Sequence, residues 1–197
     1  MNVELPKSRD DAPAADLLAR AASALSDADP QTPPSFVDRL YGQTVPEDLL
    51  SYAPEDLAAL AARAFAFLAE RSPGVPKIRC ASVPLPSRER TSAWILEIVN
   101  DDMPFLLDSV MGELAERRIA VRLVAHPVLR VSRDGARLRG IGEGERESLI
   151  HLHLDGLRTK VNAPRSRPRL RACFVRCASR SPIGGRCWSA SMRSSAN

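Results

Sequence analysis

Residues 92–131 read SAWILEIVNDDMPFLLDSVMGELAERRIAVRLVAHPVLRV, and the hydrophobic period changes twice along them. Over Ser92–Asn100 it is two. Trp94, Leu96 and Ile98 share one face of a strand, and Ile95 and Val99 point to the other. Apolar residues on both faces predict a strand covered on both sides. From Phe105 the period becomes helical, with Phe105, Leu106, Val110 and Leu114 on one stripe. Asp101 or Asp102 stands where a carboxylate can accept the first orphan amides of that helix. Ile119–Val131 returns to strand, interrupted at Pro127, which brings no amide donor.

Further along, Asp134-Gly135 is a hairpin turn, and after the loop GIGEGERE comes SLIHLHLDG, an alternating strand. The order from Ser92 is strand, helix, strand, hairpin, strand. Such a βαββ run opens a ferredoxin-like βαββαβ domain. A second helix and a closing strand should follow, and the chain supplies neither. The expectation is an α+β fold whose sheet is incomplete, with part of one face uncovered. Before this run, KIRCASVP from Lys77 is a modest strand candidate.

Upstream the texture is helical. FVDRLYGQ and VPEDLLSY are short helical pieces, and APEDLAALAARAFAFLAER is a longer one. Pro46 and Pro54 stand at helix starts, each followed by two acids in the first turn. Leu57, Leu60, Ala61, Ala64, Phe65 and Leu68 recur at helical spacing until SPGVP stops the run. Phe65 and Phe67 read as core or partner-facing residues. A further short helix is predicted near Ala14–Leu25, ended by Pro30, Pro33 and Pro34. The organisation is thus residues 1–34 as disordered chain with a short helix, 35–72 as a helical segment, 77–155 as the α+β domain, and 156–197 as a basic tail of low structure.

The net charge of +4 conceals two unlike parts. All 24 acidic residues lie at or before Asp155, whereas residues 156–197 carry ten basic side chains and no acid. Such asymmetry commonly marks a nucleic-acid or membrane arm. Here the tail has neither helical nor strand period and is built from Arg, Ser, Ala, Pro, Gly and Cys. GC-rich DNA translated out of frame gives that composition. A neighbouring-frame reading permitted by synonymous codons contains the acid-bearing amphipathic helix that the βαββ run lacks. The tail therefore reads as a frameshift, with a genuine Arg-rich arm as its rival. Cys80, Cys173, Cys177 and Cys187 match no common zinc spacing. No apolar run is long enough to span a bilayer, and the first residues carry no secretory signal, so the expected location is cytoplasmic.

NDDMPFLLDSVMGELAERRIAVRLVAHPVLRV resembles the N-terminal ACT-like region of the large bacterial NAD-specific glutamate dehydrogenases. FVDRLYGQTVPEDLLSYAPEDLAALA is similar to the helical segment that opens those proteins. The resemblance covers about residues 35–155. It implies an enzyme that oxidises L-glutamate to 2-oxoglutarate and ammonia while reducing NAD, with cofactor-binding and catalytic parts far C-terminal to this region. In agreement, no G-x-G-x-x-G follows a strand and opens a helix. The cluster GIGEG at Gly140–Gly144 precedes a strand and runs acidic. No catalytic, cofactor or metal residue is assigned within this chain. The resemblance further implies a regulatory or oligomer-forming role, with the rest of the dehydrogenase and a second copy as partners, and neither membrane nor nucleic acid among them. Two other roles stay open: a free-standing ACT-type amino-acid sensor, and a nucleic-acid-binding protein using the basic tail.

ACT-like domains bind small effectors at the loop between first strand and first helix. Here that loop is Asn100, Asp101, Asp102, Met103 and Pro104. Helix N-terminal amides favour a carboxylate, yet Phe105 stands where the ACT loop carries glycine, and Asp101 and Asp102 would repel an effector carboxylate. Helix capping by the same aspartates is the simpler reading. His151 and His153, two apart on a strand, share a face and could chelate a metal, but no third ligand is evident. His126 before Pro127 reads as structural. Asp108 and Glu113 are expected at the helix surface, with Glu113 paired to Arg117 one turn on.

Overall fold

The computed structural model describes residues 11–88 and 91–155. Its first part is helical: α1 (Asp11–Ala28), α2 (Ser35–Tyr41), α3 (Pro46–Leu49) and α4 (Pro54–Leu68). Pro46 and Pro54 occupy the first helical positions of α3 and α4, where a missing amide hydrogen costs nothing. Helix α1 runs three residues further at each end than the expected Ala14–Leu25. The second part is β1 (Lys77–Pro84), β2 (Ser92–Asp101), α5 (Leu106–Glu116), β3 (Ala120–Ala125), β4 (Val128–Asp134), β5 (Arg137–Ile141) and β6 (Glu145–Asp155).

All six strands join one antiparallel sheet in the order β1-β2-β6-β4-β5, with β3 also on β6. Strands β3 and β4 pair with successive parts of β6, Ala120–Ala125 with residues 151–155 and Val128–Val131 with residues 145–148. They are one edge strand broken at His126-Pro127, as the missing proline donor requires. Asp134 pairs with Arg137 across the β4–β5 turn, where Gly135 takes φ +58°. The central pair is β2 with β6, in register from Trp94↔Leu154 to Asp101↔Glu147.

In a complete βαββαβ sheet the last strand lies beside the first. Here that edge of β2 is occupied by β1, in register from Lys77↔Val99 to Pro84↔Ser92. The place of the closing strand, which the chain was not expected to fill, is thus taken by a segment that precedes the βαββ run. The expected uncovered face is not found at the central positions either. Leu96, Ile98, Ile150 and Leu152 are buried, in one cluster with Leu106, Val110 and Leu114 of α5.

The opposite face carries α1–α4. Val99, Leu123, Ala125, Leu129, Val131 and Leu149 share a core with Leu25 of α1, Leu40 and Tyr41 of α2, Leu49 of α3 and Leu57 and Leu68 of α4. A smaller cluster joins Leu60 of α4 to Val83, Leu85 and Ile95. The result is three layers, helices on sheet on helix, which explains why β2 is apolar on both faces. Phe65 stacks edge-on against Phe36 at 5.1 Å, and Phe67 lies under Lys77 and Arg79 at 4.6 and 4.4 Å. Residues 1–10 and 156–197 lie outside the described residues, and with them the expected frameshift of the basic tail and Cys173, Cys177 and Cys187.

Candidate functional site

The loop expected to receive an effector joins β2 to α5. Asp101 and Asp102 do not cap the helix. Helix α5 begins at Leu106, its N-cap residue is Phe105 in the left-handed region (φ 63°, ψ 13°), and no side chain caps it. The two carboxylates turn to arginines instead: Arg71 Nη2 donates to Asp101 Oδ1 at 2.7 Å, and Arg146 Nη2 lies 2.8 Å from Asp102 Oδ2. The expected repulsion of an anion is therefore offset by two arginines from other elements, Arg71 after α4 and Arg146 of β6. Asn100 is buried and donates through Nδ2 to Met103 Sδ at 3.3 Å, and Pro104 leads into the strained Phe105, whose ring is 76% exposed. Five residues are thus brought together, with the first amides of α5 beside them.

Arg71 also anchors this corner. It is buried and donates through Nη1 to Glu147 Oε1 at 2.7 Å, while Arg133 grips the same carboxylate through Nε at 2.7 Å and Nη2 at 2.8 Å. One carboxylate between two guanidiniums is a well-satisfied buried ion group.

A second constellation lies between the sheet and the N-terminal helices. His151 and His153 sit on the face of β6 that meets those helices, with Nε2 atoms 2.9 Å apart. His153 Nδ1 is 2.7 Å from the Tyr52 hydroxyl, and His151 Nε2 is 3.5 Å from that of Tyr41. Glu97, paired with His151 across β2 and β6, presents Oε1 at 3.6 Å from His151 Nδ1. Its Oε2 accepts from Arg79 Nε at 2.6 Å, with Arg63 Nε at 3.8 Å. All of Tyr41, Tyr52, Glu97, His151 and His153 are buried.

Burial dominates the acid–base behaviour of this group. It pushes Tyr41 well above the usual tyrosine value and Tyr52 up to about 12, with Arg122 and Arg88 pulling Tyr52 down and Asp155 and Asp48 pushing it up. His153 is held well below the ordinary histidine range by burial and then by its neighbours His151 and Arg122. Burial would raise the Glu97 carboxyl, but His151 and Arg79 outweigh it and hold it below its usual value. Of the two, Arg79 makes the short contact.

The histidines therefore bond to each other and to tyrosines, and among the described residues no group of three metal-ligating side chains converges on them. The sequence marked their shared face but not their surroundings. Glu97, the one charged residue in the otherwise apolar run Ala93–Val99 of β2, was the available signal. His126 pairs with Ser148 through Nε2, in keeping with a structural role. Glu113 bonds Arg117 as the spacing predicted, but it is buried rather than at the helix surface.

An α+β sheet with βαββ order, one helix on one face and a loop of this form at the end of β2 define an ACT-like domain. The family model for the glutamate dehydrogenase ACT1 domain matches residues 36–167, more than half of the chain, and the chain belongs to that family. A search of the curated proteins and of the solved structures found no match. No described helix is long and apolar enough to cross a membrane.

Proposed function

We propose that this chain is the N-terminal regulatory and oligomer-forming region of an NAD-dependent glutamate dehydrogenase. The carrying observation is the ACT1 match over residues 36–167, which runs through the βαββ sheet and the loop at Asn100–Pro104. In this reading the intact cytoplasmic enzyme oxidises L-glutamate to 2-oxoglutarate and ammonia and reduces NAD. The NAD site and the catalytic residues belong to polypeptide outside these residues, and the chain by itself turns nothing over.

The regulatory ligand is a small carboxylate-bearing effector received by Asn100, Asp101, Asp102, Met103 and Pro104. Two features support this. Arg71 and Arg146 offset the aspartate charge, and the N-terminus of α5 carries no side-chain cap, so its amides face the loop. In this reading the later part of the basic tail is translated from the wrong frame. The match running on to residue 167 favours a base change near or beyond that codon.

The test is to resequence the gene from the codons for residues 150–165 onward and to express both the chain and the product in the restored frame. Glutamate-dependent NADH formation by the restored product alone is the expected result. A confirmed frame without coding continuation, or NADH formed by the chain itself, would overturn the reading.

A further inference from the structure

Between α1 and the segment that runs from α2 into α3 lies a groove of about 580 Å³. One wall is α1, where Ala15, Ala19 and Ala22 recur at helical spacing. Gly42 and Pro46 stand in the other wall, and buried Leu49 closes the floor. Side chains this short let another helix come close. From Ala15 to Ala22 the wall is roughly 11 Å long, about two helical turns. Val45, between the lining residues Thr44 and Pro46, is 56% exposed although apolar. Thr44 itself is buried, and its hydroxyl has no hydrogen-bond partner. Such a group is costly, and a ligand that brings a donor to this wall relieves it.

The charge around the groove has one sign. Residues 11–72 hold ten acids and four arginines, a net charge of −6, whereas residues 77–155 hold twelve acids and twelve bases. Three of the four arginines are engaged elsewhere. Arg63 lies against Glu97 and Arg71 binds Asp101 and Glu147, all in the sheet, and Arg20 faces Asp16. Asp38 lines the groove, Glu47 follows Pro46 at its edge, and neither has a cationic partner among the described residues. No lysine or arginine lines the groove. A second copy of this chain would bring the same excess of acid to the same face, and a neutral ligand would make no use of Asp38. The complementary surface is apolar along one stripe and cationic beside it.

We propose that this groove binds a basic amphipathic helix of a partner protein. Its apolar side chains, at i, i+3 or i+4, and i+7, lie between α1 and the α2–α3 segment, and a lysine or arginine beside them pairs with Asp38. A second cationic side chain reaches Glu47. A donor from the same helix satisfies the Thr44 hydroxyl once that rotamer turns outward. The alanine wall sets how near the helix comes, and the acids set its orientation and its dependence on salt. None of Asn100–Pro104 lines the groove, so helix binding and effector binding are separable. The proposal rests on the groove and its charge and does not require the dehydrogenase activity.

The experiment is fluorescence anisotropy of the full chain with a labelled synthetic peptide of about 18 residues, long enough to be helical, with leucines in one stripe and lysines flanking it. Two control peptides keep its length. One scrambles the order so that the leucines form no stripe, and the other replaces every lysine by glutamate. The leucine–lysine helix should bind saturably and one-to-one, and lose affinity severalfold as salt rises to physiological strength. Ala19→Trp, at an exposed position of α1, fills the groove and should weaken binding about tenfold or more. Asp38→Arg should do the same. Glu116→Arg makes an equal change of net charge on α5, across the sheet, and should bind as the parent does. Circular dichroism establishes that each variant is folded. Should Ala19→Trp not fold, Asp38→Arg set against Glu116→Arg decides alone. No binding of the leucine–lysine helix, equal binding of either control peptide, or equal weakening by Asp38→Arg and Glu116→Arg would each overturn the proposal. So would a chain that sediments as a dimer and is returned to monomer by Ala19→Trp, because the occupant would then be a second copy.

Discussion

Tyr52 and His153 lie 101 positions apart in sequence, yet the tyrosine hydroxyl is 2.7 Å from the histidine Nδ1. This contact and that of Tyr41 with His151 join the N-terminal helices to the centre of the sheet by polar bonds inside an apolar interface. Such groups are tolerated only while each remains paired, so the interface is sensitive to their protonation.

The chain should lose stability in mild acid. Burial lowers the folded-state value of His153 below the ordinary histidine value of 6.5, so the neutral form is favoured by folding. Its contribution is complete above about pH 6.5 and is lost as pH falls toward the folded-state value. Glu97, also lowered in the folded state from 4.5, adds a further loss at more acid pH. Thermal melts from pH 8 to pH 4 should show Tm falling first below about 6.5. A flat profile down to pH 5 would contradict it, and in His153→Gln the first of the two declines should shrink.

Phe105→Gly should stabilise the fold. Phe105 holds a left-handed conformation at φ 63° with its ring mostly exposed, so glycine relieves strain and gives up little packing. The expected gain is about 1 kcal/mol, read as a Tm increase of roughly 2–4 °C.

Removing the carboxylate between two arginines should do the reverse. Glu147→Ala leaves Arg71 and Arg133 buried against each other without their shared partner. Breaking a buried ion group in this way costs about 3–5 kcal/mol. Urea unfolding should show a lower midpoint at unchanged slope.

Gly144→Ala is a backbone test of the loop before β6. Gly144 takes φ +99°, and a Cβ there would stand 2.2 Å from the Val131 carbonyl oxygen, part of the strand beside it. A loss of roughly 3 kcal/mol is expected from the combined strain and clash. Stability unchanged in denaturant titration would show that β4 moves aside.

Much of the architecture is legible in the chain. The change from period two to helical period and back over Ser92–Val131 locates β2, α5 and the broken β3–β4 edge, and Pro46 and Pro54 locate two helix starts. The place of β1 is not legible, because KIRCASVP has strand character but nothing local says which neighbour it takes. Its partner is chosen by the open edge of β2, a tertiary effect. Phe105 misled for a similar reason. A cap at Asp101 or Asp102 is the local preference, but Arg71 and Arg146 recruit those carboxylates from other elements and the turn is made by a strained residue. The histidine spacing was visible and its tyrosine partners were not, since Tyr41 and Tyr52 come from helical segments about a hundred positions away.

The arrival of β1 beside β2 reorders the chain relative to the sheet it completes. In connectivity the arrangement resembles a circular permutation, with the edge strand supplied ahead of the motif instead of after it. A dissection at residue 77 would therefore cut through one folding unit, since β1 is reached only by way of α4, and α4 roofs the face against which His151 and His153 are buried. The smallest autonomous piece is then defined by the helical roof and the sheet together, and trimming from the N-terminal side should unfold the β-sheet well before any strand is deleted.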